Sequence, residues 1–259
     1  MTRNLVTLSE PGRTQIFLLP FAGGSASSYW SWSNLLPAGM QVSAAQLPGR
    51  QDRWQEPPYR DFGTLVGDLA DEITELAADG PYVLLGHSLG ATIAYETARE
   101  LQRRSAPDPA LLVISAAVAP QIDHDPIGAG RLSDDELIDK TREAGRLPAQ
   151  ILESTELLEL VLPALRADLA LVDSYRYLPG ALLSCPVSVF GGRQDPQVPV
   201  DALGPWQELT TNRTALRVLD GDHFYLWGRE AEVAEAILTD LSTGPGTDLG
   251  TGLSTAVTA

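Results

Sequence analysis

The sequence predicts an α/β fold, a mostly parallel, doubly wound sheet with a helical insertion late in the order. Three observations carry this. Short apolar runs of strand length alternate with amphipathic stretches, giving the order strand, helix, strand, helix, strand. A serine stands in a glycine-flanked turn, Gly86-His87-Ser88-Leu89-Gly90, between one such strand and one such helix. The other residues able to carry chemistry fall in loops directly after strands, at the sheet edge where such folds hold their ligands.

Residues 15–19 form the first apolar run and lead into Pro20-Phe21-Ala22-Gly23-Gly24-Ser25. This loop lacks both the G-x-G-x-x-G spacing and the lysine of a phosphate-binding loop. It reads instead as half of an oxyanion hole, with the Ala22 amide as donor and Phe21 as the alternative. Tyr29, Trp30 and Trp32 follow at helix-like spacing and read as core. Residues 41–47 alternate as a strand. Residues 47–58 hold too many turn formers for a regular element. Arg50, Arg53 and Arg60 make this a local basic cluster in an acidic chain; the plainer reading pairs them with Asp52, Glu56 and Asp61. Residues 62–77 are amphipathic, with Leu65, Leu69, Ile73 and Leu76 on one helical face.

The apolar run 81–85 enters the serine turn, and residues 91–99 continue as a helix ending near Arg103-Arg104. Strand, sharp turn and helix together are the context that a G-x-S-x-G nucleophile elbow requires. Gly86 and Gly90 let strand and helix approach closely. Ser88 then projects from the sheet edge, and the Leu89 amide, at the helix N-terminus, faces a developing oxyanion. Residues 111–115 are the next buried strand.

The pattern changes over 119–179. Ser133 and Glu136 form a capping box, and residues 157–175 read as helix, kinked or restarted at Pro163. Such a helical insertion, about 120–179, reads as a lid over an active site, the plainer reading being a structural helical layer; lid helices tend to be mobile because few contacts hold them down. Residues 186–190 and 216–219 are the last strands, and 230–241 the last helix. The composition of residues 242–259 predicts a disordered tail after a single domain over residues 1–241.

The chain has 259 residues, 44% of them hydrophobic, which suffices for one large core. A net charge of −16 argues against a nucleic-acid partner, because neutralising phosphates needs a basic surface. One cysteine, Cys185, allows no internal disulfide and is compatible with the cytoplasm. No signal-peptide core or apolar run of membrane-spanning length is visible, and three histidines with one cysteine make no obvious metal site.

A serine hydroxyl needs a base to become a nucleophile, and the base needs a partner to fix its tautomer. His223 alone among the histidines lies after the late strands. His87 adjoins Ser88, but side chains flanking an elbow diverge, so packing is its expected role; His124 reads as a solvated loop residue. Asp195 follows a strand directly and is the preferred acid. Asp201, Asp220 and Asp222 are its rivals, the last too close in sequence to His223 to face its ring. Ser88, Asp195 and His223 are thus the candidate catalytic residues, with Ala22 and Leu89 as the oxyanion pair.

Taken together, Pro20-Phe21-Ala22-Gly23-Gly24-Ser25, Leu47-Pro48-Gly49-Arg50 with Arg53, the elbow, Leu165-Arg166-Ala167-Asp168, Gly191-Gly192 with Asp195, and Gly221-Asp222-His223-Phe224 resemble the type II thioesterases of polyketide and nonribosomal peptide pathways. The resemblance spans about residues 15–241 and implies the α/β-hydrolase fold. It implies hydrolysis of acyl groups from the phosphopantetheine arm of acyl or peptidyl carrier proteins, with no cofactor beyond the arm that the substrate carries. It also implies that the segment 123–178 is a lid over the pantetheine channel. The family often has Met where Leu89 stands and Tyr or His where Phe21 stands. Carrier proteins are usually acidic, so Arg50, Arg53 and Arg60 become a candidate carrier-binding patch. A cytoplasmic monomer is expected. Met1, close before the first strand, suggests a stand-alone chain rather than a chain-terminating domain cut from a synthase. The alternatives are a small-molecule carboxylesterase or acyl-CoA hydrolase, and a non-catalytic hydrolase-fold binding protein.

Overall fold

The structure, a computed structural model, describes residues 3–243 except Asp79, Asp123, His124, Asp125, Ala144, Arg146 and Pro148. Of the expected tail over 242–259, Ser242 instead ends the last helix, while residues 244–259 and the solvated His124 lie outside the described residues.

Seven strands form one sheet: β1 (Leu5–Thr7), β2 (Thr14–Leu19), β3 (Met40–Ala45), β4 (Tyr82–His87), β5 (Leu111–Ser115), β6 (Val187–Gly192) and β7 (Thr214–Leu219). Their spatial order is β1-β3-β2-β4-β5-β6-β7. β1 pairs antiparallel with β3, and every other pairing is parallel. The helices are α1 (Phe62–Leu76), α2 (Leu89–Arg103), α3 (Asp134–Glu143), α4 (Ala149–Leu152), α5 (Thr155–Ser174) and α6 (Glu230–Ser242). β1 was not expected from the sequence. It is three residues long with only Leu5 buried, too short for alternation to register.

Side chains alternate across each central strand, so the sheet has an apolar face on either side. Phe17 and Leu19 of β2 join Leu65, Leu69 and Ile73 of α1 and Ala91, Ala94 and Ala98 of α2 in one core. Ile16 and Leu18 join Val233 and Ile237 of α6, with Tyr29 and Trp32, in the other. The aromatic segment forms a 3-10 helix over Ala26–Asn34. Tyr29 and Trp32 are core as expected, whereas Trp30 is exposed.

The expected helical insertion lies between β5 and β6. Its capping box is present, with the Ser133 amide donating to Glu136 Oε2 at 2.8 Å and the Glu136 amide donating to Ser133 Oγ at 3.3 Å. α5 runs through Pro163 without a restart, so of the two expectations there only a kink is compatible. α5 fits the structural-layer reading better than that of a loosely held lid, because Leu165, Asp168, Leu169 and Leu171 are all buried.

Candidate active site

The elbow lies where β4 ends and α2 begins. Ser88 has φ 56° and ψ −119°, a backbone conformation that L-residues seldom adopt. Neighbouring backbone holds it there, since the Ser88 amide donates to the Ser115 carbonyl at 2.8 Å and its own carbonyl accepts from Ala91 at 2.9 Å. The flanking glycines are sterically required. A Cβ on Gly86 would collide with the Gly90 carbonyl, and a Cβ on Gly90 with the Leu19 carbonyl.

His223 reaches this serine from the loop after β7, its Nε2 3.0 Å from Ser88 Oγ. Its Nδ1 lies 2.7 Å from Asp195 Oδ2, in the loop after β6. The other Asp195 oxygen, Oδ1, accepts the amides of Gln197 at 2.8 Å and Val198 at 3.1 Å. The carboxylate is thus fixed from both sides, and its side chain is fully buried. It faces Nδ1–H, which leaves Nε2 free to accept the serine proton. The two loops are held together by the Gln194 amide, which donates to the Gly221 carbonyl at 2.9 Å. A Cβ on Gly192 would collide with the Asp222 carbonyl, so this glycine also permits the approach. The rival acids are elsewhere. Asp220 pairs with Arg193 at 2.9 Å, Asp222 Oδ1 accepts the Phe224 amide at 2.8 Å, and Asp201 is exposed.

A cavity of about 180 Å³ opens at Ser88 and His223. Ala22 and Leu89 line it, while the Phe21 ring packs edge-on against His87, Phe224 and Trp227. Leu89 is the first residue of α2, where a backbone N–H has no acceptor within the helix. Leu169, Val172 and Tyr175, from α5 and the residue after it, form part of the wall. A serine hydroxyl backed by a histidine and a carboxylate is an arrangement that can drive acyl transfer through serine.

His87 does not contact the serine oxygen. It is fully buried and its Nδ1 lies 2.8 Å from Ser115 Oγ, which is 2.5 Å from Tyr225 Oη. Burial above all, and then the nearby His223, holds its pKa well below the ordinary 6.5, so it stays neutral.

Arg50 and Arg53 are not surface residues, and the expected carrier-binding patch is corrected accordingly. Arg50 is 5% exposed and forms a two-pronged ion pair with Asp168 of α5, at 2.8 and 2.7 Å. It also donates to the Gly24 carbonyl at 2.7 Å, and the Gly23 amide donates to Asp168 Oδ2 at 2.7 Å. Arg53, 7% exposed, donates to Glu56, the Asn4 side chain and the Gln46 carbonyl. Both guanidinium groups are thus engaged by the protein's own acceptors, with Arg50 Nε alone buried without a partner among the described residues. Arg60 alone of the three is exposed. The sequence reading gave Asp168 no role, although an acidic residue beside Leu165 and Leu169 on an apolar helix face is a usable signal of buried pairing.

The chain matches the thioesterase domain family over residues 14–241. It belongs to the thioesterase family. This thioesterase is 33% identical over 234 residues to the gramicidin S biosynthesis protein GrsT of Aneurinibacillus migulanus, covering 90% of this chain and 91% of GrsT. It is 34% identical over 223 residues to the thioesterase PikA5 of Streptomyces venezuelae, covering 86% and 79% respectively. Among solved structures, the type II thioesterase BorB of the borrelidin biosynthetic cluster superposes with a TM-score of 0.80 at 32% identity, covering 92% of this chain and 97% of BorB. The thioesterase therefore has the α/β-hydrolase fold and is a hydrolase acting on thioesters, with type II thioesterases of nonribosomal peptide and polyketide clusters as its relatives. No described helix is long and apolar enough to cross a membrane. Among the described residues, no group of three or more His, Cys, Asp or Glu could hold a metal ion.

Proposed function

We propose that this thioesterase hydrolyses acyl groups from the phosphopantetheine arm of acyl or peptidyl carrier proteins, clearing stalled or misprimed synthases. The observation that carries the reading is the run Ser88 Oγ, His223 Nε2, His223 Nδ1, Asp195 Oδ2 at 3.0 and 2.7 Å, opening on an apolar cavity partly walled by α5. The family and its biosynthetic-cluster relatives support the substrate class.

His223 takes the Ser88 proton as Oγ attacks the thioester carbonyl, and Asp195 steadies the resulting imidazolium. The Ala22 and Leu89 amides hold the oxyanion. Collapse of the intermediate breaks the carbon–sulfur bond, and His223 returns its proton to the departing thiol. Water, deprotonated by His223, then attacks the acyl-serine, releasing the carboxylic acid and restoring Ser88. The cavity, walled by Ala117, Ile122, Leu169, Val172 and Val198, favours short aliphatic acyl groups.

The test compares kcat/KM on one acyl group presented on a carrier protein, on coenzyme A and as a p-nitrophenyl ester. Preference for the carrier is expected. Rapid cleavage of the free substrates with the carrier ignored would leave the serine chemistry intact and make the protein a general esterase.

A further inference from the structure

A second cavity, a groove of about 890 Å³, shares two residues with the one at Ser88: Phe62 and Tyr175 line both. Their rings lie 4.8 Å apart, and Tyr175 Oη donates to Glu96 Oε1 at 2.6 Å, fixing the threshold between the cavities. From there the groove follows α2, lined by Glu96, Arg99 and Arg103. At a helical rise of about 1.5 Å per residue, it extends about 10 to 20 Å along that helix from the end nearest Ser88.

The charges in this groove are unevenly satisfied. Each carboxylate has a partner: Asp61 caps α1 through Thr64, Glu96 accepts from Arg99 and Tyr175, and Glu100 accepts from Arg103 and Arg104. Two arginines do not. Arg60 is exposed and makes no ion pair or side-chain hydrogen bond with another described residue. Among the described residues, the Arg176 guanidinium meets only the backbone carbonyls of Asp173 and Tyr175. In a chain of net charge −16, two cations without carboxylate partners flank the threshold, one two residues before Phe62 and the other immediately after Tyr175.

We propose that this groove receives the thiol half of the substrate and that Arg60 and Arg176 bind a phosphoryl group on it. The ligand chemistry is a phosphorylated pantetheine arm whose thioester lies at Ser88 and whose phosphate lies beyond the Phe62–Tyr175 ring pair. Arginine suits this role because its planar fork matches phosphate oxygens. The inference rests on the thioesterase reading above, but it concerns the leaving group rather than the chemistry. A phosphoryl group reaches the same place on a carrier-bound arm and on coenzyme A.

The test uses the whole chain with one acyl group on four thiols: pantetheine, phosphopantetheine, coenzyme A and a carrier protein. The measured quantity is kcat/KM on each phosphorylated thiol divided by kcat/KM on pantetheine. In Arg60→Gln/Arg176→Gln, the ratio for free phosphopantetheine should fall on the order of tenfold, the loss of a charge-assisted phosphate contact. The carrier ratio should fall with it. Arg3→Gln/Arg13→Gln removes the same charge on a distant surface and should retain the wild-type ratios. An unchanged phosphopantetheine ratio in the groove variant overturns the inference. So does a fall confined to the carrier, which would mean that the arginines meet the carrier's surface, or an equal fall in the control. A wild-type enzyme that ignores the carrier overturns the proposed function instead, and the free phosphopantetheine and coenzyme A ratios still decide the groove.

Discussion

Arg50 and Asp168 lie 118 positions apart in sequence and form a buried two-pronged ion pair that joins the loop after β3 to helix α5. Asp168 also accepts the Gly23 amide, and Arg50 donates to the Gly24 carbonyl. The pair therefore clamps the loop carrying Ala22 against the helix that helps wall the cavity at Ser88.

Breaking that clamp should be expensive. Asp168→Ala leaves a buried guanidinium without its counter-charge, which typically costs about 3–5 kcal/mol. Denaturant unfolding should show a loss of that size. Arg50→Lys retains the charge but not the fork, and should lose less stability while still lowering kcat as the Gly23–Gly24 backbone relaxes. A stability loss below about 1 kcal/mol for Asp168→Ala would contradict a buried, structurally coupled pair.

Much of this organisation was legible in the sequence, and the reason is locality. The elbow, the β6 loop with Asp195 and the β7 loop with His223 each announce themselves within a few residues, and chain order assigned their roles. The capping box at Ser133 is equally local. What failed was non-local. Arg50 and Arg53 read either as a surface patch or as partners of neighbouring acids; Arg53 does pair with nearby Glu56, but the buried partners Asp168 and Asn4 lie in distant segments. Strand β1 was missed because only Leu5 of its three residues is buried.

Asp195 should matter through geometry. Asp195→Asn offers the imidazole an amide in place of a carboxylate, disfavouring the tautomer that leaves Nε2 free. The fall in kcat should be on the order of 10⁴ near neutral pH, by analogy with other serine–histidine–aspartate sites. Variants at Asp201, which is exposed, or Asp220, whose carboxylate pairs with Arg193 instead of His223, should stay within about threefold of wild type, a barrier change of less than about 1 kcal/mol. A large effect at either would move the acid's role.

Burial of His87 has a pH signature. Its folded pKa lies well below the ordinary 6.5. The unfolded chain therefore binds a proton below about pH 6.5 that the folded protein resists. More protons on the unfolded state means that stability rises with pH. This contribution is complete above the unfolded pKa and is lost as pH falls below it toward the depressed folded value, by up to about 1.4 kcal/mol per pH unit. His87→Gln should show a correspondingly smaller loss of unfolding free energy between about pH 7 and pH 5 than wild type. Equal losses would mean that the imidazole becomes protonated in the folded protein.

The elbow's close packing predicts a steric penalty. Gly86→Ala places a methyl against the Gly90 carbonyl, and the backbone on both sides must move. Stability should fall by at least about 1–3 kcal/mol, with kcat falling too as Ser88 shifts. Thermal unfolding together with turnover checks both, and retention of both would contradict the packing.

The most direct test of the central claim is to mix an acyl-loaded carrier protein with the enzyme, quench in acid within the first turnovers, and weigh both proteins. The expected result is carrier with a free thiol and an acyl mass on the peptide containing Ser88, with neither change in Ser88→Ala. Acyl loss from the carrier that persists in Ser88→Ala would contradict it.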